Sequence, residues 1–234
     1  MLVIAIGGNT SSRTALKLRD YLTEYFSREP SMLIIPTATS DPANFSEIQS
    51  FWAKIFKDVC ILPLHKKVNS FLSEEELHNK LQNYDFVFFS GGDQKRIIQL
   101  IRGHGIHRFL LEKNSSSLFA VGGTSAGAAA LGDLCILSGS PARFESIKIT
   151  SGLGLLKGYV VDQHFKERKR FGRLIYVVLK WKINGVGIDE DTAAIFRSDG
   201  ELLKILGSGF AWFFEYDKDG RLGLCYKKEA EGEV

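Results

Sequence analysis

The chain has 234 residues, of which 44% are hydrophobic and 24% charged, and its formal net charge is +3. A chain of this length buries enough apolar surface to fold without disulfide or metal cross-links. The small net charge gives no support for nucleic acid or a membrane surface as a partner. Its apolar runs fall short of the roughly 20 residues of a membrane-spanning helix, and its three cysteines lack metal-ligand spacing. We therefore expect a globular, cytoplasmic protein with no metal.

Strands and helices alternate through the first half of the chain. Four short apolar runs predict buried strands, at Leu2–Ile6, Met32–Pro36, Phe86–Ser90 and Ser117–Gly123. Helical patterns lie between these runs, at residues 13–27, 45–56, 74–81 and 95–111. Ser73 and Glu76 have the spacing of a capping box, and Gly103 and Gly105 interrupt the last helical pattern. Uninterrupted apolar strands alternating with helices are typical of a doubly wound, mostly parallel α/β sheet flanked by helices.

The C-terminal part has a different pattern. From residue 186 to residue 226, β-rich segments are separated by Ser-Asp-Gly and Lys-Asp-Gly turns. Such turns between apolar segments predict antiparallel hairpins. We interpret these hairpins as additions to the sheet, so residues 1–234 are expected to form a single α/β domain.

The stretch FAVGGTSAGAAALG places Ser125 between glycines, where an apolar strand meets a run of alanines. Gly123–Gly127 matches G-x-S-x-G, the pattern of a nucleophile elbow, which needs a strand before the serine and a helix after it. Close packing of a helix on a sheet is the alternative explanation for so many small residues. A nucleophile would also require a base and an orienting carboxylate elsewhere in the chain.

His164 is the best candidate for the base, because it follows Asp162 and Gln163 where a β-rich run meets polar residues. The orienting acid is expected in the sequence VGIDED, which offers Asp189, Glu190 and Asp191 at another predicted strand end. Spacing alone does not choose among these three. The order serine, histidine, acid differs from the serine, acid, histidine order of α/β-hydrolases.

Four blocks in this order resemble the motifs of the S51 serine peptidases, a family that includes aspartyl dipeptidase (peptidase E) and cyanophycinase. The blocks are GGDQ at 91–94, GGTSAGA at 122–128, DQHFKERKRFGRL at 162–174 and GVGIDEDTA at 185–193. The third block is more similar to cyanophycinase than to the dipeptidase. The resemblance implies a fold like that of class I glutamine amidotransferases, with serine in place of their cysteine.

The resemblance also implies roles for individual residues. Ser125 would be the nucleophile, His164 the general base and Glu190 the orienting acid, with an oxyanion hole formed by the backbone N–H groups of Gly92 and Ala126. The residues implied to line the substrate site are Gln94, Asp162, Gln163, Arg168, Arg170 and Arg173. From the residues themselves, Arg170 and Arg173 share one face of a regular helix, whereas Arg168 would point elsewhere.

The sequence therefore predicts a serine peptidase that acts on α- or β-aspartyl peptides or an aspartyl polymer. It needs no cofactor, and the family implies a homodimer. Three alternatives stay open: an aspartyl dipeptidase, an acyl-transfer enzyme acting on a non-peptide amide, and a catalytically silent module that binds an anion beside the serine loop.

Overall fold

The computed structural model describes residues 1–68, 72–113, 118–140 and 143–230. The strands are β1 (Leu2–Ile6), β2 (Met32–Ile35), β3 (Val59–Ile61), β4 (Phe86–Phe89), β5 (Ala120–Thr124), β6 (Gly132–Ser140), β7 (Arg143–Ser151), β8 (Leu156–Gln163), β9 (Asn184–Ile188), β10 (Thr192–Arg197), β11 (Leu202–Gly207), β12 (Ala211–Tyr216) and β13 (Leu222–Lys227). The helices are α1 (Ser12–Phe26), α2 (Phe45–Ala53), α3 (Glu74–Leu81), α4 (Gln94–Gly103), α5 (Ile106–Glu112), α6 (Ala126–Ala130) and α7 (Phe171–Trp181), with a short 3-10 helix at Pro42–Asn44.

The first sheet contains the predicted parallel strands. Its order is β11-β10-β1-β5-β4-β2-β3, and the strands from β1 to β3 in this order are parallel. Strands β1, β2 and β4 consist entirely of buried residues, which accounts for their unbroken apolar sequences. The antiparallel β10–β11 hairpin extends the sheet beyond β1. The predicted α/β sheet with a C-terminal hairpin is therefore confirmed; Ser117, predicted to begin the fourth strand, lies outside the described residues.

A second sheet, which the sequence did not predict, has the order β13-β12-β9-β8-β6-β7. Strands β8 and β9 are parallel, and the β12–β13 hairpin pairs antiparallel to β9. The last hairpin is thus an addition to this second sheet. The two sheets pack face to face, since Phe196 of the first sheet contacts Tyr159 and Phe213 of the second at ring-centroid distances of 5.7 and 6.2 Å.

Helices cover the outer faces of both sheets. Leu18 and Leu22 of α1 and Trp52 of α2 pack on the first sheet, while Leu174 and Val177 of α7 pack on the second. Helices α3 to α6 lie on the inner face of the first sheet, beside the second sheet. Among the helices of the described ranges, none combines the length and the apolar character needed to cross a bilayer.

Local signals set most helix boundaries. The capping box at Ser73 and Glu76 is present at the start of α3. The pattern predicted from residue 95 to residue 111 is two helices, because Gly105 takes a left-handed conformation and begins α5. Helix α2 ends at Ala53, three residues before the predicted end, and Ile55 and Phe56 continue into the apolar layer beneath it.

Candidate active site

Ser125 lies at the turn between β5 and α6, with φ 52° and ψ −113°. A positive φ is strained for a residue with a side chain. Its N–H donates to the carbonyl of Ile6 (2.9 Å), which holds the turn against the end of β1. A Cβ at Gly123 would lie 2.8 Å from Cα of Gly127, and one at Gly127 would lie 2.9 Å from the carbonyl carbon of Phe89. The flanking glycines are therefore needed for α6 to pack closely against β4 and β5. This packing holds Ser125 in its strained conformation at the turn.

His164 follows β8 directly and is almost fully buried. Its Nε2 lies 2.9 Å from Oγ of Ser125. Its backbone N–H donates to the carbonyl of Gly7 (2.8 Å), so the loop after β1 connects the ends of the two sheets at this point. The imidazole is within proton-transfer distance of the hydroxyl.

Glu190 is the acid that the structure places against the histidine. Its Oε1 lies 2.6 Å from Nδ1 of His164. Asp189 is instead buried and accepts hydrogen bonds from Phe210 N–H and Trp212 Nε1. Asp191 accepts from Ser11 N–H and the Ser208 hydroxyl. Of the three acids that the sequence left open, Asp189 and Asp191 therefore bind groups of neighbouring loops. Glu190 completes a hydrogen-bonded chain of serine, histidine and carboxylate.

The surroundings favour the neutral form of His164 and the ionised form of Glu190 by lowering the pKa of each. Burial lowers the pKa of His164 below its usual value, and the positive charges of Arg168 and Arg170 act in the same direction, while the hydrogen bond to Glu190 opposes them. A hydrogen bond with the Asn9 side chain lowers the pKa of Glu190, and His164 lowers it further. A neutral imidazole paired with a carboxylate is the state in which histidine acts as a general base.

The two predicted oxyanion donors lie beside the serine, one at the start of α6 and the other on the loop after β4. Ala126 is the first residue of α6, directly after Ser125. Gly92 has φ 135°, and a Cβ there would lie 3.0 Å from the backbone nitrogen of Thr39 as well as against Ala38, so only glycine fits. A Cβ at Gly91 would lie 3.9 Å from Oγ of Ser125, which places the GGDQ loop against the nucleophile position.

A cavity of about 490 Å³, the arginine cavity, opens beside Ser125. Its walls are Gly92, Gln94, Ser125, Leu137, Ser138, Gly139, Gln163, Arg168, Arg170 and Arg173. The amide nitrogen of Gln94 donates to the carbonyls of Ile136 (2.7 Å) and Leu137 (2.9 Å), and its Oε1 accepts no hydrogen bond from the residues that the structure describes. The helix-face argument holds only for a regular helix and does not apply to Arg168, because α7 begins at Phe171 and Arg168, in the preceding turn, lines the same cavity.

Asp162, predicted to line the site, lies beneath the cavity and is outside its wall. Its carboxylate accepts a hydrogen bond from Nη1 of Arg170 (2.9 Å) and a two-point pair from Arg173, through Nε (2.8 Å) and Nη2. Both guanidinium groups are almost fully buried. Three arginines against one buried carboxylate leave the cavity with an excess of positive charge, which favours an anionic group in a ligand.

Sequence reasoning missed the GGN segment after β1. A Cβ at Gly8 would lie 2.7 Å from Nε2 of His164, so this glycine lets the ring approach the backbone. Asn9 reaches Glu190 with its side chain. Their position in the sequence could have indicated a site, because both residues follow a predicted parallel strand and ligand sites form at the carboxyl ends of such strands.

The other histidines bind backbone carbonyls away from the serine. His65 contacts the carbonyl of Thr39 at 2.9 Å, and His107 contacts that of Leu153 at 2.6 Å. Over the described ranges of the chain, no three histidine, cysteine, aspartate or glutamate side chains are arranged to hold a metal ion.

Comparisons with known proteins agree with the motif series. A sequence model described as peptidase family S51 matches residues 1–205. The cyanophycinase of Synechococcus elongatus is 35% identical over 222 residues, which cover 89% of this chain and 66% of that protein. The cyanophycinase of Trichormus variabilis is 31% identical over 220 residues, covering 88% of this chain and 71% of that protein. The chain thus spans about two thirds of the length of the cyanophycinases it matches.

The fold also has a solved counterpart. The crystal structure of a peptidase from an acI-B1 Actinobacterium superposes with a TM-score of 0.70 at 18% identity, covering 98% of this chain and 95% of that one. At this level of identity the similarity establishes the fold alone. The roles of the side chains at the strand ends depend on their own geometry in this chain.

Proposed function

The chain belongs to peptidase family S51, and from this premise we propose that it is a serine peptidase that cleaves α- or β-linked aspartyl peptides. The observation that carries the proposal is the continuous hydrogen-bonded path from Ser125 Oγ through His164 to Glu190, at 2.9 and 2.6 Å. Hydroxyl, imidazole and carboxylate in this arrangement form the nucleophile, base and orienting acid of acyl transfer.

In the proposed reaction, Ser125 Oγ attacks the scissile carbonyl carbon as His164 Nε2 takes the hydroxyl proton. The carbonyl oxygen becomes an oxyanion, which the N–H groups of Gly92 and Ala126 stabilise. The C–N bond then breaks as His164 returns the proton to the leaving amine. Water adds to the acyl-enzyme with His164 again as base, and release of the acid restores Ser125. Glu190 stabilises the imidazolium formed in each half-reaction.

The arginine cavity supports a substrate with a carboxylate in its acyl half. Arg168, Arg170 and Arg173 line it within reach of Ser125, and planar guanidinium groups suit two-point binding of a carboxylate. The Oε1 of Gln94, whose amide nitrogen is already bonded, is an acceptor suited to a substrate N–H group. An aspartyl residue offers a carboxylate and an N–H group close to its scissile carbonyl. The named relatives are cyanophycinases.

A substrate panel tests the proposal. The purified chain is incubated with α-Asp-X dipeptides, β-Asp-Arg and insoluble cyanophycin, and the products are identified by mass spectrometry. We expect hydrolysis of at least one class, abolished in Ser125→Ala and His164→Ala. Ser50→Ala, on the exposed face of α2, is the matched control and keeps full activity. Full activity of either active-site variant contradicts the proposal; triad removal normally costs roughly three to six orders of magnitude in rate.

Two measurements separate the alternatives. Added amine acceptors compete with water for the acyl-enzyme, so an acyl-transfer enzyme forms mainly the new amide, whereas a peptidase forms mainly the free acid; product analysis measures this ratio. A fluorophosphonate probe adds its mass to Ser125 only where the hydroxyl is activated, so an unlabelled protein would favour the silent anion-binding module. The homodimer and the cytoplasmic location stay predictions; sedimentation at several concentrations tests the first.

A further inference from the structure

A second cavity, of about 520 Å³, opens on the other side of the candidate active site. It shares Gly92 with the arginine cavity and is also lined by Gly91 and by Thr124, the residue before Ser125. Asn9, which reaches Glu190, lies at its edge. The two cavities therefore meet at the proposed oxyanion donor, and a substrate whose carbonyl sits there extends into both.

The walls of this second cavity differ in chemistry from those of the first. Four large apolar side chains, Ile48, Phe51, Trp52 and Phe88, line it together with hydroxyl and amide side chains. Trp52 packs edge-on against Phe88 at a centroid distance of 4.8 Å and against Phe51 at 5.2 Å, which fixes the aromatic surface. Among the described residues that line it, Glu47 is the one with a charged side chain, and it is exposed. We call this the aromatic cavity.

We infer that the aromatic cavity receives the leaving half of the substrate and selects an amine that carries an apolar side chain. This inference rests on the proposed function. Ser125 lines the arginine cavity, where an anionic acyl half is held by guanidinium groups. The two substituents of the scissile carbonyl carbon point in different directions, so the half that leaves as the amine occupies the other cavity.

The chemistry of the walls sets the preferred class. Apolar surface of the substrate is removed from water against Phe51 and Ile48, the partly exposed apolar side chains of the wall, which favours leucine or phenylalanine over glycine in the leaving half. The carboxylate of Glu47 repels an acidic side chain at the same place. An arginine or lysine side chain gains from Glu47 only at the solvent-exposed rim, where a charge pair contributes little.

The kinetic test keeps the acyl half constant and varies the leaving half. Values of kcat/KM are measured for Asp-Phe-NH₂, Asp-Leu-NH₂, Asp-Gly-NH₂, Asp-Arg-NH₂ and Asp-Asp-NH₂. We expect the phenylalanine and leucine substrates to exceed the glycine substrate by about tenfold or more, as apolar pockets discriminate by such factors. The aspartate substrate should be the poorest. Equal values for phenylalanine and glycine, or a preference for arginine, would overturn the inference.

Two variants of α2 locate the effect. Ile48 is half-buried in the cavity wall, and Ile48→Trp fills the space while Ile48→Ala enlarges it. Ile48→Trp should lower the ratio of kcat/KM for Asp-Phe-NH₂ to that for Asp-Gly-NH₂ to about one, and Ile48→Ala should keep this ratio above one. Ser50→Ala, on the same helix, should keep the parent preference. An unchanged preference in Ile48→Trp contradicts the assignment of this cavity.

A binding measurement makes the inference independent of catalysis. Saturation-transfer NMR is recorded with phenylalaninamide and with glycinamide, the free leaving halves. Signals for phenylalaninamide on the parent protein and on Ser125→Ala, lost in Ile48→Trp, support the inference even where no aspartyl substrate is hydrolysed. Absence of binding overturns it, whereas Ser125-dependent hydrolysis without any leaving-group preference would leave the proposed function intact.

Discussion

Gly8 lies so close to His164 that the imidazole ring occupies the space a side chain at position 8 would need. A Cβ there would lie 2.7 Å from Nε2, the nitrogen that faces Ser125, and the backbone has φ 111°. The contact joins the end of β1 in one sheet to the end of β8 in the other. The position of the candidate base therefore depends on a residue 156 positions earlier in the chain.

Gly8→Ala is expected to lower kcat by about a hundredfold or more, because a displacement of the base by about 1 Å has effects of that size. The measurement is steady-state hydrolysis of the substrate found in the panel. Gly103→Ala is the matched control, since a Cβ there meets no atom within 4 Å. The control should keep its activity and gain about 0.5 to 1 kcal/mol in the free energy of unfolding. Normal activity of Gly8→Ala would show that the ring has another way to reach the serine.

Replacing Glu190, the proposed orienting carboxylate, should impair catalysis without unfolding the protein. Glu190→Gln keeps the size of the side chain but removes the charge that stabilises the imidazolium and fixes its tautomer. We expect kcat to fall by roughly 10³ to 10⁴, as for the equivalent change in serine–histidine–aspartate enzymes. Glu201→Gln, an exposed glutamate paired with Arg197, should behave as the parent. A change of less than tenfold in Glu190→Gln would assign the orienting role elsewhere.

The pH dependence follows from the lowered pKa of His164. The base works when neutral, so kcat/KM rises with pH as the imidazole loses its proton. Because burial and the nearby arginines lower this pKa, the midpoint of the acid limb is expected below the usual histidine value of about 6.5. A pH–rate profile of kcat/KM measures it.

Arg168→Gln removes one of the positive charges that lower the pKa of His164. The acid limb should therefore move to higher pH, and more clearly at low salt, since Arg168 is exposed. Lys169→Gln, also exposed, serves as the control and should leave the midpoint in place. A midpoint that moves to lower pH in Arg168→Gln would contradict the electrostatic argument, whatever happens to substrate affinity.

Asp162 is expected to act through stability. Asp162→Ala leaves Arg170 and Arg173 buried without a counter-ion, which should cost about 3 to 5 kcal/mol in the free energy of unfolding. Urea denaturation measures this loss. Asp20→Ala removes an exposed partner of Arg19 and should change stability by no more than about 0.5 kcal/mol. Parent-like stability of Asp162→Ala would mean that water or another group compensates the two guanidinium groups.

Local features of the sequence predicted most of the first sheet. The unbroken apolar runs of β1, β2 and β4 are buried on both faces, and runs of that kind can be recognised without knowledge of the partner strand. The strained turn at Ser125 was predictable for the same reason, because its glycines and alanines lie within a few residues of it. The ordered motif blocks identified the family, which the family match over residues 1–205 confirms.

The second sheet and the details of the site required the tertiary structure. Strand β6 mixes buried, half-buried and exposed residues irregularly, β7 contains only half-buried and exposed residues, and bulges shift their register, so their sequences lack a clear period. The choice of Glu190 over Asp189 and Asp191 depends on which carboxylate faces His164, 26 residues away. The contact of Gly8 with the imidazole is likewise long-range, and the pairing of Asp162 with Arg170 and Arg173, 8 and 11 residues away, needs the turn between β8 and α7 to be in place. Periodicity and turn chemistry encode interactions between near neighbours in the chain, whereas these contacts depend on how β8, β9, α7 and the loop after β1 come together in the folded protein.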